Sequence, residues 1–352
     1  MKKILLISNY VFHYRIKIYN YFAKEFKKIG YEFHVLSNEY QNIDYDIEFK
    51  KYKEDFSVNG YIKKINEINP DIVINFLHLK DKLIIPLTYY CKLRKIPMIY
   101  WNHGINLRDP ENRIKNLVFR FVHNISSAII LYTPDQLKYI KNKNKNKTFI
   151  AYNTLSFKDI DKSKVITPNQ VKNKYGIKEE KVILYVSRVL PYKRLDVLLD
   201  IFKGVSNIGV VVVGAGISDD QICKINQYSN LYYLGPKYGH EVWEIFNMGD
   251  LYSTPGHIGL GLNEAFYWEK PVVILNGNHA PEIYYLENGK NGFIVNDELE
   301  LKEKIIKLLT DKELYDSFSQ SCRKTYIEKC DISNMFNGFV EAVNYCLNKE
   351  VN

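Results

Sequence analysis

Short apolar runs alternate with amphipathic stretches along this chain, and the alternation runs twice. In the first round, residues 4–7, 33–36, 71–76, 97–101, 128–132 and 148–152 read as buried strands. Between them, Ile18, Phe22 and Phe26 recur at helical spacing within 15–28, and a second helix over 61–68 stops before Pro70. A mostly polar stretch, 158–170, reads as an interdomain linker around Thr167, Pro168 and Asn169. The pattern then restarts, with strands at 181–186, 209–213, 230–234, 250–253 and 271–274 and a helix over 194–202. Helices over 301–309, 314–327 and 335–347 close the chain. Strands that alternate with helices build a parallel sheet covered on both faces. A chain of 352 residues is too long for one ordinary core. The expectation is α/β: two doubly wound Rossmann-like domains facing across a cleft, 1–165 and 166–335. The last helix, 336–352, is expected to return to the first domain. Open sheets of this kind bind ligands outside the carboxyl ends of their strands.

Residues 255–273 carry the strongest local pattern. Gly256, Gly259 and Gly261 precede a short apolar stretch holding one carboxylate, Glu264, and Lys270-Pro271 breaks the pattern before a β-branched run. That order reads as loop, helix, turn and strand. A glycine-rich loop opening a helix presents free N–H groups to a phosphate. Glu264, in the first turns, is placed for a hydroxyl-bearing ring such as a ribose, and a diphosphate beside a sugar ring is a nucleotide-sugar. The competing reading is that Gly259 and Gly261 serve helix–strand packing and Glu264 is solvated. Arg188 and Lys193 lie five apart on the loop after the strand 181–186. They read either as two fixed cations for a departing diphosphate or as an ordinary basic loop.

The bulk properties narrow the class. Hydrophobic content of 46% and charged content of 25% suit a globular protein, and no apolar run reaches the 18 residues of a membrane span. The apolar part of the amino terminus is too short for a secretory signal, so a cytoplasmic protein is expected. Five scattered cysteines show neither disulfide nor metal-ligand spacing. The net charge of +9 favours anionic partners. The tract 141–147, alternating Lys and Asn, reads as a solvated loop.

These motifs resemble the retaining, nucleotide-sugar-dependent glycosyltransferases of family 4, which have the GT-B fold. Ser187-Arg188 with Lys193 resembles the family's Gly-Arg-x-x-x-x-Lys phosphate loop. Residues 210–216 resemble its central strand and glycine turn, ending in Gly214 and Gly216. Leu234-Gly235, Gly259-Leu260 through Glu264-Ala265, Pro281-Glu282 and residues 288–292 follow in the family's order. In the first half, His103-Gly104 after a strand resembles the family's active-site histidine, and Asn153-Thr154 its Asn-Thr turn.

The resemblance implies a catalytic set of His103, Arg188 and Lys193. It implies donor binding by Gly214, Gly256, His257, Ile258, Gly259, Leu260, Glu264 and Glu282. Two departures stand out. The family's first glutamate, eight positions before the second, falls at Gly256, so His257 or backbone amides would have to serve the donor sugar. The first strand-to-helix turn lacks the family's Gly-Gly and carries His13, Tyr14 and Arg15. These resemble the acceptor-side residues of members that modify surface glycans, and otherwise read as a simple helix start.

The implied reaction moves a hexose-type sugar from a nucleoside diphosphate to a glycan or lipid-linked acceptor, with retention, in cell-surface polysaccharide or lipopolysaccharide biosynthesis. Neither a metal nor another cofactor is expected. Asp44-Tyr45-Asp46 spells the Asp-x-Asp of metal-dependent transferases but sits in a polar run, and is read as chance. The alternatives are a GT-B sugar-nucleotide epimerase and a basic nucleic-acid-binding protein. Dispersed cations and no recognised module weigh against nucleic acid. The stretch 113–123 mixes cations with apolar residues. It reads either as a core helix with a basic face or as a peripheral contact with an anionic membrane.

Overall fold

The computed structural model describes residues 1–41, 46–78, 81–107 and 109–348. The chain divides into two compact units, Met1–Ser156 with Asp331–Asn352, and Phe157–Cys330.

In the first unit the main sheet has seven described parallel strands, in the order Lys50–Lys53, Tyr31–Ser37, Lys2–Ile7, Ile72–Asn75, Met98–Asn102, Ala128–Leu131 and Thr148–Ile150. Numbered by position in the chain this is 3-2-1-4-5-6-7, a doubly wound order whose direction of winding reverses beside the first strand. Ile4, Leu5, Leu6 and Ile7 are wholly buried because the central strand has both faces covered. Lys50–Lys53 is a strand that periodicity missed, as are the short pair Tyr10–Val11 and Glu39–Tyr40 and, in the second unit, Gly292–Val295. Lys50–Lys53 lies at a sheet edge, where lysines keep the open backbone in water and erase the apolar alternation.

The helix Ile332–Asn348 belongs to this unit. Phe339 meets Phe22 with ring centroids 4.8 Å apart, and Phe336 meets Phe26 at 4.7 Å. Gly338 lies so close to the Ile150 carbonyl and Ala151 that no β-carbon would fit.

Six parallel strands build the second unit's sheet, in the order Leu231–Tyr233, Ile208–Val213, Lys181–Val186, Leu251–Tyr252, Val272–Leu275 and Gly292–Val295. The order is again 3-2-1-4-5-6.

Several expected boundaries move. The units divide at 156/157 rather than 165, because Phe157 stacks on Tyr267 at 4.5 Å and also meets Tyr326. They divide again at 330/331 rather than 335, since Ile332 and Met335 sit in the first unit's core. The supposed linker over 158–170 runs into a helix, Pro168–Tyr175, opened by a capping box between Thr167 and Gln170. The Lys/Asn tract also differs from a solvated loop. Asn142–Lys145 forms a helical turn, and Asn144 is buried, donating to Asn124 Oδ1 at 2.9 Å.

Candidate functional site

In the second unit the loops of interest follow the first and fourth strands of the sheet, where the winding direction reverses. Doubly wound sheets bind ligands at this position. Backbone pairing continues past the strand ends there. Ser187 N–H donates to Val213 O at 2.9 Å and Val189 N–H to Ala215 O at 2.8 Å, so the loop carrying Arg188 lies along the 214–216 turn. Gly214, at φ +147°, and Gly216, at φ +94°, permit this approach. A β-carbon on Gly214 would strike the Ser187 carbonyl, and one on Gly216 would lie 2.7 Å from Val189 O.

A second seam joins this loop to the glycine loop. Gly256 N–H donates to Lys193 O and His257 N–H to Tyr192 O, both at 3.0 Å, and Lys193 Nζ returns a bond to His257 O at 3.1 Å. Arg188 and Lys193 therefore stand on one rigid frame with residues 256–259. The Lys193 ammonium is largely buried and, among the described residues, has no carboxylate partner. Burial first, and then the Arg188 charge, bring its pKa down to about 8. Arg188 itself is exposed.

The three glycines of this loop have different causes. Gly256 is closed by the Tyr192 carbonyl and the Lys193 backbone, so no side chain fits. That explains why a glutamate is missing there, and it makes Gly256 a residue of loop packing rather than a side-chain contact site. A β-carbon on Gly261 would collide with the Tyr252 hydroxyl, itself bonded to Val186 O at 3.2 Å. At Gly259 the nearest atoms, Ala280 Cβ and Glu282 Oε2, are 3.7 and 3.9 Å from a notional β-carbon. Nothing among the described residues requires glycine at 259.

The N–H groups of Gly259, Leu260 and Gly261 donate to no group among the described residues. The helix they open, Gly261–Tyr267, has only seven residues, so these donors matter more than its dipole. Glu264 is half-buried on that helix, and Glu282 is buried beside Gly259.

Other expected donor residues differ in detail. Ile258 is wholly buried and offers only backbone; its N–H donates to His279 Nδ1 at 3.3 Å. His279 Nε2 donates to Leu275 O at 3.0 Å, and His257 Nδ1 donates to Asn278 O at 2.8 Å. Burial lowers both histidines' pKa values. His279 was not singled out from the sequence. Its supporting role depends on a contact 21 residues away that no local spacing encodes.

In the first unit, side chains gather at the carboxyl ends of the strands. His103 follows the strand Met98–Asn102. Gly104, at φ +76°, turns the chain beneath it, and Asn102 Oδ1 accepts from Gly104 N–H and from His123 Nε2 at 3.2 Å. Burial, then His78, then Arg15 hold the His103 pKa down at about 3. Its imidazole is neutral at physiological pH, and its ring lies 4.2 Å from Tyr132.

The 13–15 triplet opens the helix His13–Lys28. His13 N–H and Nδ1 both bond Gln41 Oε1, at 3.1 and 2.9 Å. Tyr14 is half-buried, and its ring lies against the Arg15 guanidinium. Arg15 is 5% exposed, with Trp101 at 4.8 Å and Phe76 at 5.1 Å from the guanidinium carbon.

Among the described residues no group of three or more His, Cys, Asp or Glu side chains is placed to hold a metal. Asp44 and Tyr45 of the Asp-x-Asp match lie outside the described residues. No described helix is long and apolar enough to cross a membrane.

Two doubly wound sheets in sequence, each with its candidate residues at the strand ends, define the GT-B architecture. The fold of Anabaena HepE, solved in complex with UDP, is similar to that of this chain. The TM-score is 0.76, over 98% of this chain and 100% of that one, at 15% identity. Within this fold, residues 169–325 match the family model of the glycosyl transferases group 1, and the second unit carries a domain of that family.

Two curated proteins are similar in sequence. The poly(ribitol-phosphate) alpha-N-acetylglucosaminyltransferase of Staphylococcus aureus is 22% identical over 73% of this chain and 52% of its own length. The alpha-monoglucosyldiacylglycerol synthase of Acholeplasma laidlawii is 22% identical over 83% of this chain and 81% of its own length. The chain thus spans about half the length of the first of these relatives.

Proposed function

We propose that this protein is a retaining glycosyltransferase of family 4. It moves a hexose-type sugar from a nucleoside-diphosphate sugar to a hydroxyl of a glycan or lipid-linked acceptor, in the biosynthesis of a cell-surface polysaccharide or lipopolysaccharide. The observation that carries this reading is Lys193, a largely buried ammonium with no carboxylate partner among the described residues, fixed beside Arg188 and the glycine loop. A buried cation lacking a counter-charge is costly unless a ligand supplies one.

Breaking the bond between the sugar and the diphosphate places negative charge on the leaving oxygens. Lys193, Arg188 and the amides of Gly259, Leu260 and Gly261 stabilise that charge, so no metal is needed for it. Glu264 holds the ribose hydroxyls, and Glu282 supports the loop from below. The room at Gly259 suits close approach of a diphosphate. His257, with the neighbouring amides, serves the donor sugar where the family's first glutamate is missing. His103, being neutral, donates or accepts a hydrogen bond at the sugar or leaving oxygen rather than delivering a proton. The names of the two relatives, one a sugar transfer to poly(ribitol phosphate) and one the making of a glucosyl lipid, are in keeping with both acceptor classes.

The test is transfer assayed with UDP-, GDP- and dTDP-sugars by wild type and Arg188→Ala. The expected result is donor-dependent transfer that the variant loses while keeping its fold. Unchanged turnover in the variant would remove the proposal.

A cytoplasmic, membrane-peripheral location is part of this reading. On the helix Arg113–Ile125, Asn116, Val122 and His123 face inward. Ile114, Leu117 and Phe121 are 77%, 58% and 39% exposed, flanked by Arg113, Lys115 and Arg120. An outward apolar stripe bordered by cations suits an anionic bilayer surface.

A further inference from the structure

The first unit holds a group of polar side chains whose hydrogen-bonding capacity the protein leaves unused. Arg15 Nε, Trp101 Nε1, His103 Nδ1 and Gln136 Nε2 are all buried and have no partner among the described residues. They come from distant parts of the chain and meet at neighbouring strand ends. The Arg15 guanidinium lies over Trp101. Trp101 and His103 both approach Tyr132, with ring centroids 5.7 and 4.2 Å away. Gln136 spends its oxygen on the Tyr132 and Thr133 N–H groups, at 2.9 and 3.3 Å, leaving its NH2 over. Trp101, His103 and Tyr132 line a small opening of about 30 Å³, together with Phe76 and His78.

Three of the four unused groups can only donate, and the fourth donates in one tautomer. A buried polar atom without a partner costs free energy, and several pointing to one ligand chemistry are an informative set.

Arg15 sets the sign. It is permanently charged, yet the polar partners around it are neutral: Asn153 Oδ1, at a long 3.4 Å from Nη1, and the Tyr14 side chain. No ion pair reaches it among the described residues. The aromatic faces of Tyr14, Phe76 and Trp101 offset part of the desolvation. Faces do not satisfy the in-plane N–H groups, which match a carboxylate or phosphate. A neutral sugar hydroxyl would leave the charge uncompensated.

We propose that this site binds an anionic group of the acceptor, a phosphate or a carboxylate, through Arg15 with Trp101 Nε1–H and Gln136 Nε2–H. The proposal rests on the reading of the first unit as the acceptor side, and it narrows that acceptor to an acidic glycan or a phosphate-bearing one.

The test titrates paired probes by saturation-transfer NMR at low salt: glucuronate against glucose, and glycerol 3-phosphate against glycerol. The protein is the full chain carrying Arg188→Ala and Lys193→Ala, so the second unit's cations do not capture the phosphate. The expected result is binding of one anionic probe at least tenfold tighter than its neutral counterpart. Adding Arg15→Gln should abolish that preference, and adding Trp101→Phe should weaken it severalfold. The pair that shows the preference identifies the anion. Should Arg15→Gln not fold, Arg15→Lys replaces it; it keeps the charge without the fork and should lower the preference. Equal binding of both members of both pairs, or a preference that survives substitution of Arg15, would overturn the proposal. UDP binding to the wild-type chain is measured separately, so a failed donor reading is distinguishable from a failed anion site.

Discussion

The two units share a sheet order and the end of the sheet at which their candidate residues lie, but they build those places from different materials. In the second unit the frame is backbone. The Arg188 loop is joined to the 214–216 turn and to the 255–258 loop by main-chain bonds that only glycine at 214, 216 and 256 permits. In the first unit the frame is side chains. Arg15, Phe76, Trp101 and the stretch holding Tyr132 and Gln136 converge from four separate segments. One unit presents cations on a rigid loop, and the other buries a cation among rings. On the proposed reading, the backbone frame serves a diphosphate of constant shape and the side-chain frame a variable acceptor.

Breaking the backbone frame and its cations should have the largest effect. On the proposed reading, removing Arg188 or Lys193 takes away a charged contact to the leaving group, and turnover is expected to fall by about 10²–10³. Steady-state kinetics with saturating donor measure this. Gly256→Ala forces a methyl group into the Tyr192–Lys193 backbone. A loss of about 1–3 kcal/mol in the second unit's stability is expected from such overpacking, together with weaker nucleotide binding, seen by calorimetry.

Lys193 supplies a pH signature of intermediate size. Its pKa is lowered from 10.5 to about 8 in the folded protein. Between those two values the unfolded chain keeps the proton that the folded chain has released, so Lys193 adds stability as pH rises through that window. Below about 8 it remains charged and costly. On the proposed reading the ammonium holds the diphosphate, so UDP affinity should decline above pH 8, by up to about tenfold per unit. Lys193→Arg should flatten that decline. His103, already neutral above pH 3, should contribute no inflection between pH 5 and 8.

The side-chain frame answers differently. Arg15→Met removes a buried charge without a counter-ion, so the first unit's melting temperature should stay level or rise, while recognition of an anionic acceptor is lost. A large drop in melting temperature would mean that Arg15 serves the fold instead. The smallest effect is expected at the surface. Ile114→Asp with Leu117→Asp should lower flotation with anionic liposomes and leave transfer to a soluble acceptor unchanged.

The same contrast explains what could be read from residue order. The β-branched run 210–213, the glycines at 214, 216, 256 and 261, and the Arg188–Lys193 spacing are local features, and local features survive in sequence. Gly256 was legible as a special position, though not its cause, since the atoms that close it belong to Tyr192 and Lys193. His103 follows the strand Met98–Asn102, the position that the family resemblance singles out. Trp101 and Gln136 were missed, because a core tryptophan at a strand end and a capping glutamine look ordinary until their unused N–H groups are seen near Tyr132. The edge strand Lys50–Lys53 and the helix Ile84–Leu93 escaped periodicity for opposite reasons, one being polar throughout and the other apolar on most faces.

A crystal of the full chain soaked with UDP, and then with a UDP-sugar, tests the central claim most directly. The expected density places the diphosphate within hydrogen-bonding distance of Lys193 Nζ, Arg188 and the amides of residues 259–261, with the ribose hydroxyls on Glu264. A nucleotide bound elsewhere in the chain, with Lys193 still bonded only to the His257 carbonyl, would contradict it.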